Sequence, residues 1–271
     1  LNGKLPVNTK HFDIGFGLNT QSNRLKYVTP EEICFNTDLL YKIDSIVLNA
    51  MKNEATPGCQ ILIAKDGCIF FNKSYGYHTY SKKNKVNNFD VYDIASITKI
   101  VSTVPILMKM VDDGLLDLDA ELGTYLNLEN SNKSTLIIRD ILSHQSGLLP
   151  WIPFYKKTLV KDSITVLMNL RDTLYSKIYS KEYPYQVANG IFLHKQYPDS
   201  MLQQIIDSEL LPKKEYCYSD LGYYLFKELI ENVYRLPLNK IVEDKFFNEL
   251  GMDNLGYLPL ERLDEKRIIP T

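Results

Sequence analysis

Three stretches of the chain place apolar residues at three- and four-residue spacing, which is the pattern of a helix with one buried face. They cover residues 37–56, 97–112 and 218–234. Proline and glycine follow the first stretch and glycine follows the second, as is typical where a helix ends. The pattern therefore predicts three amphipathic helices.

The second of these helices is predicted to be buried and bent. Its apolar stripe is broad and consists of Ile97, Ile100, Val101, Val104, Leu107, Met108 and Val111. Pro105 lies inside the stripe and cannot donate a backbone hydrogen bond to the carbonyl of Val101, which costs about 3 kcal/mol in a straight helix. We therefore expect a bend at this proline.

A β-hairpin is predicted between the first two helices. Residues 59–64 and 68–73 are two runs of strand-forming residues, and they are separated by Lys65 and the turn pair Asp66-Gly67. This pair between two such runs is the strongest short-range signal for a hairpin. Helices and strands together indicate a mixed fold.

The rest of the chain gives weaker signals for its domain organisation. Residues 1–36 show no regular period and are interpreted as a linker or wrapping segment before a domain at 37–271. Within that domain we expect a helix and hairpin at 37–92, a mostly helical lobe at 93–215 and a return segment at 216–271. The chain begins at Leu1 without a signal-peptide pattern, so we interpret it as a piece of a longer chain.

Composition and charge exclude two classes of protein. The 271 residues are 45% hydrophobic and 24% charged, and 31 basic against 33 acidic residues give a net charge of −2. The electrostatic attraction that drives non-specific nucleic-acid binding is therefore missing, and no nucleic-acid partner is expected. The longest apolar stretch, residues 100–111, contains polar residues and a proline and falls far short of a spanning helix, so no transmembrane segment is expected.

The cysteines do not indicate a metal or redox site. Cys34, Cys59, Cys68 and Cys217 form no Cys-x-x-Cys pair and have no histidines at zinc-ligand spacing. The zinc-protease and phosphate-loop motifs are absent from the sequence as well. No cofactor or metal is therefore expected.

The first candidate for chemistry is Ser96-Ile97-Thr98-Lys99, at the start of the second predicted helix. Residues three apart lie on the same helical face, so Lys99 can reach the hydroxyl of Ser96. A lysine kept near neutrality by burial can act as the base for a serine nucleophile. The alternative interpretation is an ordinary capped helix start, which has the same residue types.

A second candidate is Tyr218-Ser219-Asp220, which follows a polar loop and opens the third helix. A tyrosine is a plausible general base when a nearby cation lowers its pKa, and Lys99 is a candidate for that cation. The alternative is that Ser219 or Asp220 only caps the helix.

His144, in Leu142-Ser143-His144-Gln145-Ser146-Gly147-Leu148, has two interpretations. By residue type it is a possible catalytic base. A hydrogen-bonded structural anchor is the interpretation we favour. No Gly-x-Ser-x-Gly surrounds Ser146, so the α/β-hydrolase nucleophile turn is absent.

Taken in order, these motifs resemble the serine β-lactamase-related superfamily, in its class C, penicillin-binding-protein-like and esterase branch. The resemblance rests on the Ser-x-x-Lys at 96–99, the histidine motif at 142–148, the Tyr-Ser-Asp at 218–220 and Leu250-Gly251-Met252. It implies an α/β (α+β) fold with an antiparallel sheet flanked by helices, plus a helical lobe, and an active-site cleft between them.

The same resemblance implies a role for each candidate residue. Ser96 would be the acylated nucleophile, Lys99 its base and Tyr218 the proton shuttle, while Asp220 would bind substrate. The family commonly has asparagine at the last position. Because a carboxylate accepts hydrogen bonds but cannot donate one, Asp220 predicts reduced β-lactam turnover.

A second departure concerns a third family motif, Lys- or His-x-Gly on a strand after the tyrosine. No such triplet follows Tyr218 in this sequence. The chain is therefore expected to be a C-terminally truncated domain that lacks the last strands of the sheet. As a truncated domain it is expected to have reduced activity or none when isolated.

A narrower resemblance points to the β-lactamase-type domain fused behind a family-3 glycoside hydrolase (β-N-acetylhexosaminidase) in bacterial cell-wall enzymes. It is based on Gly3-Lys4-Leu5-Pro6-Val7, Trp151-Ile152-Pro153-Phe154-Tyr155 and Ile268-Ile269-Pro270-Thr271. It implies a fused N-terminal glycosidase as partner and a periplasmic or extracytoplasmic location.

Two functions follow from these resemblances. The first is a serine hydrolase that forms an acyl-enzyme with an ester, amide or β-lactam, with a small molecule or a peptidoglycan peptide as substrate. The alternative is a non-catalytic module that binds peptidoglycan or docks on the glycosidase. Asp220 and the missing third motif favour the alternative.

Overall fold

The computed structural model describes residues 8–17, 25–161 and 168–270, which divide into two compact units. The first unit contains residues 17, 25–95 and 253–270. The second contains residues 8–16, 96–161 and 168–252. Residues 3–7 and Thr271, which contribute to the narrower resemblance, lie outside the described residues.

The first unit is built on a three-stranded sheet and one long helix. The strands are β1 (Lys26–Tyr27), β2 (Gly58–Lys65) and β3 (Cys68–Gly76), in the order β1-β3-β2, with β1 parallel to β3 and β2 antiparallel to it. Helix α1 is Tyr41–Lys52. The predicted helix and hairpin are therefore confirmed.

The hairpin turn has the geometry that its sequence requires. Asp66 and Gly67 have φ values of 51° and 77°, and such a left-handed pair matches the twist of the two flanking strands. The Asp44 carboxylate of α1 accepts hydrogen bonds from Lys73 Nζ and Tyr75 OH of β3, both at 2.6 Å. These contacts join the helix to the sheet on which it packs.

The remaining elements of the first unit are short. Helix α7 is Pro259–Arg262, numbered after the six helices that precede it in the chain, and 3₁₀ turns occur at Pro30–Ile33, Thr37–Leu39 and Glu265–Arg267. Val91 pairs in parallel with Ile268. The segment predicted as a linker thus contributes an edge strand and a 3₁₀ turn to this unit.

The second unit has a helical core. A π-helical turn, Lys99–Thr103, leads into α2 (Val104–Asp112). The other helices are α3 (Ile138–Leu142), α4 (Tyr197–Ile206), α5 (Leu221–Tyr234) and α6 (Leu238–Val242), which is followed by a second π-helical turn, Glu243–Phe247. Five of these helices contribute fully buried side chains to the core, among them Ile106, Met110, Ile138, Ile205, Leu225, Phe226, Leu229 and Val242.

This unit also contains two small antiparallel sheets that the apolar pattern does not predict. One pairs β4 (Leu159–Lys161) with β5 (Met168–Leu170). The other has the order β6-β8-β7, with β6 at Tyr175–Ser176, β7 at Tyr185–Ala188 and β8 at Ile191–Leu193. Further 3₁₀ turns lie at Leu122–Thr124 and Phe154–Thr158. Strands of two to four residues are too short to show a readable alternation.

The π-helical turn explains how Pro105 is accommodated in the helix. The proline occupies the first turn of α2, where a missing N–H costs little, and the irregular turn comes immediately before it. The predicted stripe is only partly buried: Ile97 and Ile100 are 53% and 64% exposed, while Ile106 and Leu107 are 0% and 2% exposed. No helix among the described residues is long and apolar enough to cross a membrane.

Helix α5 approaches α3 closely at Gly222. A Cβ atom at this position would lie 2.4 Å from Ile141 Cγ2, well inside van der Waals contact. Glycine costs helix stability, so its presence in the first turn of α5 has a packing reason. The contact sets how α5 begins, directly after Tyr218-Ser219-Asp220.

We predict that Gly222→Ala lowers the free energy of unfolding by up to about 2 kcal/mol, because overpacking costs about 1–3 kcal/mol and the gain in helix propensity returns about 1 kcal/mol. Urea unfolding of the single variant measures this loss. Ile141→Leu removes the clashing Cγ2 branch, so the double variant should regain most of the loss. Additive effects of the two substitutions would contradict the proposed contact.

Candidate active site

Ser96 lies three residues before the start of the π-helical turn and is exposed. The preceding residue, Ala95, has a φ of 44°, a left-handed conformation that is uncommon for a residue with a side chain. Strained backbone of this kind is concentrated at functional sites. The turn presents the Ser96 hydroxyl at the start of a helix.

Two side chains donate hydrogen bonds to the oxygen of Ser96. Lys99 Nζ is 3.0 Å from Ser96 Oγ, and the Tyr218 hydroxyl is 2.8 Å from the same atom. Lys99 lies one helical turn along the chain, whereas Tyr218 is separated from Ser96 by 122 positions. The fold therefore brings together the three residues that were singled out as nucleophile, base and proton shuttle.

Asp220 lies beside Lys99. Its Oδ1 is 2.6 Å from Lys99 Nζ, and the side chains of Lys99 and Asp220 are 15% and 45% exposed. Asp220 makes no capping bond to α5; instead Ser219 Oγ accepts from the backbone N–H of Leu221 at 3.1 Å. Of the two residues considered as caps, only Ser219 acts in that way.

The surroundings of Lys99 favour its charged form. Burial lowers the pKa of Lys99, but the contacts with Asp220 and Tyr218 raise it by more, so its pKa lies above the ordinary value. The rings of Tyr218 and Tyr223 also face the ammonium, with centroids 5.2 and 5.3 Å from Nζ. A neutral lysine base is therefore not the resting state of this site.

The segment that carries Tyr218 and Asp220 is tied to the loop after α3. Ser219 Oγ donates to the carbonyl of Leu149 at 2.6 Å, and the N–H of Asp220 donates to the carbonyl of Pro150 at 2.9 Å. These bonds fix the chain at Ser219 and Asp220, directly before α5 begins. The motif is thus held in place by backbone contacts as well as by its helix.

His144 belongs to the same loop and serves as a hydrogen-bonded anchor. Its Nδ1 accepts the N–H of Ser219 at 3.2 Å, and its ring packs against Tyr218 with a centroid distance of 4.5 Å. Burial, and then the charge of Lys99, lower the pKa of His144, while Asp220 opposes them. No hydrogen bond joins His144 to Ser96 in the part of the chain that the structure describes.

Tyr223 and Ala95 are contributors that motif reasoning did not find. Tyr223 faces Lys99 from the first turn of α5, and Ala95 forms the strained turn before Ser96. The sequence feature that could have indicated Tyr223 is the high number of tyrosines close to Tyr-Ser-Asp. Ala95 gave none, because its residue type does not favour a left-handed conformation.

Metal-binding clusters are not found at this site. Among the described residues, no three His, Cys, Asp or Glu side chains are grouped so that they could hold a metal ion. The polar groups at Ser96 form a hydrogen-bonded network with Lys99, Tyr218 and Asp220. Such an arrangement suits nucleophilic catalysis by an activated serine.

A family model described as Beta-lactamase matches residues 43–267, which is most of the chain. The chain belongs to the Beta-lactamase family. The family assignment agrees with the residues brought together at Ser96, and it places the protein in the serine hydrolase superfamily of β-lactamases and penicillin-binding-protein-like enzymes.

Curated relatives of this β-lactamase-family chain are much longer than it is. Protein flp of Staphylococcus aureus (strain MRSA252) is 27% identical over 225 residues, which cover 81% of this chain and 38% of that protein. The "Putative D-alanyl-D-alanine carboxypeptidase" of Escherichia coli O157:H7 is 26% identical over 248 residues, covering 86% of this chain and 50% of that protein. The chain spans half or less of these relatives.

Solved structures share the fold. The octameric penicillin-binding protein homologue from Pyrococcus abyssi superposes with a TM-score of 0.62 at 21% identity, covering 85% of this chain and 47% of that one. At this identity the likeness concerns the fold alone. The predicted β-lactamase/transpeptidase-like α/β fold class is therefore confirmed.

We predict that Asp220→Asn shifts the ascending limb of the pH profile of kcat/KM, on which the rate increases as Lys99 is deprotonated, to lower pH. The carboxylate stabilises the Lys99 ammonium, so its removal lowers the pKa of Lys99 and makes the neutral amine available at lower pH. At a fixed pH below the pKa of Lys99, each unit by which that pKa falls should raise kcat/KM about tenfold. A pH profile of ester hydrolysis measures the shift.

Asp244→Asn is the matched control for this variant, because it removes one carboxylate from the same unit and Asp244 forms no ion pair with Lys99. Its pH profile should coincide with that of the parent protein. If Asp220→Asn left the ascending limb in place, or moved it to higher pH, Lys99 would not be the group that titrates.

Proposed function

We propose that this protein is a serine hydrolase that acts through an acyl-enzyme on Ser96. The observation that carries the proposal is the pair of donors at one oxygen, with Lys99 Nζ at 3.0 Å and the Tyr218 hydroxyl at 2.8 Å from Ser96 Oγ. Few arrangements other than an activated nucleophile need a lysine and a phenol on the same serine. The substrate class is an ester, an amide or a β-lactam.

The proposed acylation starts when Lys99 has lost its extra proton. Ser96 Oγ attacks the acyl carbon and its proton passes to Lys99, while the oxygen of the acyl group takes the negative charge. Tyr218 then gives its proton to the leaving group and recovers one from Lys99. The carbon–leaving-group bond breaks and an ester of Ser96 remains.

Deacylation runs through the same groups with water as the nucleophile. Water gives a proton to the network at Lys99 and Tyr218, attacks the ester carbon and releases Ser96 with its proton restored. The N–H of Ser96, at the start of the helix, is the proposed oxyanion donor. Asp220 sets the proton affinity of Lys99 in both half-reactions.

The natural substrate we propose is related to the cell wall. This follows from the resemblance to penicillin-binding proteins and from the name of the carboxypeptidase-type relative, which refers to D-alanyl-D-alanine. A periplasmic or extracytoplasmic location and a fused family-3 glycosidase belong to the same proposal. Among the described residues, Trp151 and Tyr155 of the narrower resemblance are 56% and 55% exposed.

A non-catalytic module is the second candidate function. The observation in its favour is the ion pair of Lys99 with Asp220, because a lysine held as an ammonium cannot accept the proton of Ser96. In this alternative the protein binds a peptidoglycan stem peptide without turnover. It predicts that Ser96→Ala leaves peptide affinity unchanged and that no covalent adduct forms.

We expect a fluorophosphonate to label the full-length protein once, at Ser96. The serine oxygen bonds to phosphorus and fluoride leaves, so intact mass rises by one probe group, and Ser96→Ala should abolish the rise. Ser143→Ala is the matched control, because Ser143 is an exposed serine of the same unit whose hydroxyl donates to the Asp140 carbonyl and to no other described residue. Labelling that survives in Ser96→Ala would reject Ser96 as the nucleophile.

A further inference from the structure

His144 contacts Tyr218 and both of its neighbours in the chain. Its carbonyl accepts the N–H of Cys217 at 2.8 Å, and its Nδ1 accepts the N–H of Ser219 at 3.2 Å. Its imidazole packs on the ring of Tyr218 itself, at a centroid distance of 4.5 Å and an interplanar angle of 39°. The residues before and after Tyr218 and its side chain thus all bind one histidine.

A role as catalytic base does not fit these contacts. The Nδ1 lone pair is used by Ser219, and the described hydrogen bonds to Ser96 Oγ come from Lys99 and Tyr218. His144 therefore acts through Tyr218 or not at all.

We propose that His144 is a positioning residue whose neutral imidazole holds the Tyr218 hydroxyl at Ser96 by accepting the backbone N–H of Ser219. The inference rests on the proposed function of Ser96 and Tyr218 and adds the element that orients the phenol.

The geometry of the loop supports this assignment. His144 has a φ of 58°, and this left-handed turn directs both its carbonyl and its ring toward the segment that carries Tyr218. Histidine and asparagine are among the residues that tolerate such a conformation best. The buried Ser219 is also bonded to the same loop through Leu149, so the Nδ1 bond is a second contact that fixes the residue directly after Tyr218.

The protonation state of His144 is part of the proposal. Nδ1 accepts a hydrogen bond only in the neutral tautomer with the proton on Nε2, since both nitrogens of a charged imidazole are donors. The groups that face the ring are Lys99, Asp220, Tyr216, Tyr218 and Tyr223. Burial and Lys99 keep the pKa of His144 below its ordinary value, so the acceptor is present at neutral pH.

Two substitutions separate the acceptor from the ring. His144→Asn keeps an acceptor oxygen near the position of Nδ1 and loses the aromatic contact, whereas His144→Phe keeps the ring and loses the acceptor. With a p-nitrophenyl ester, His144→Phe should lower kcat by about 10- to 100-fold with KM within about twofold, as expected for a misplaced catalytic group. His144→Asn should stay within about fivefold of the parent.

His194→Asn is the matched control. The Nδ1 of His194 also accepts a backbone N–H, that of Gln196 at 3.3 Å, but its ring packs on Tyr183 instead of Tyr218. This variant should match the parent in kcat and in KM. Equal losses of kcat in His144→Asn and His144→Phe, a parent-like His144→Phe, or a change confined to KM would overturn the proposal.

A spectroscopic measurement tests the proposal without relying on turnover. With 3-fluorotyrosine at position 218, the ¹⁹F resonance of the parent should shift as His144 is protonated at acid pH, and this shift should vanish in His144→Asn but persist in His194→Asn. A resonance that does not respond to His144 would overturn the positioning role even in an active enzyme. An inactive parent with the expected ¹⁹F response would instead reject only the proposed hydrolase function.

Discussion

The arrangement at Ser96 depends on the hydrogen bonds that join residues 217–220 to the loop at 144–150. Neither segment has a long regular element at that point, so their mutual contacts define where each lies. Because Tyr218 and Asp220 both project from the tied segment, one set of bonds places the phenol on Ser96 and the carboxylate on Lys99. Groups that are far apart in sequence are thereby placed by local backbone geometry as well as by their own side chains.

The charge of Lys99 is the second property that this arrangement determines. In a buried site an isolated lysine would be driven toward neutrality, but the carboxylate of Asp220 and two tyrosine rings oppose that tendency. The serine is therefore held between two donors in the resting state. In the proposed mechanism Ser96 is activated only after Lys99 loses a proton, so the activity would depend on pH.

Local signals allowed much of this to be predicted from sequence. The α1 helix, the Asp66-Gly67 hairpin and the start of α5 follow from spacing and turn chemistry, and the motif residues Ser96, Lys99 and Tyr218 were found by type and order. The partner of Asp220 could not be predicted, because Lys99 lies 121 positions away and asparagine-like binding to substrate was the simpler expectation. The strands β4 to β8 were not predicted, because they are too short to show an alternation of apolar and polar residues. The close approach at Gly222 was not predicted either, because a contact between two helices produces no periodic pattern in the sequence.

The π-helical turn at Lys99–Thr103 separates two requirements that a continuous α-helix would couple. A π turn holds one residue more than an α turn, so the helical phase of residues before it is offset by about 100° from that of α2. Ile106 and Met110 can therefore face the core while the Ser96–Lys99 pair faces the tyrosines. Substitutions in the core along α2 can thus leave the orientation of Ser96 unchanged, because the extra residue separates the helical phase of the core side chains from that of the site residues.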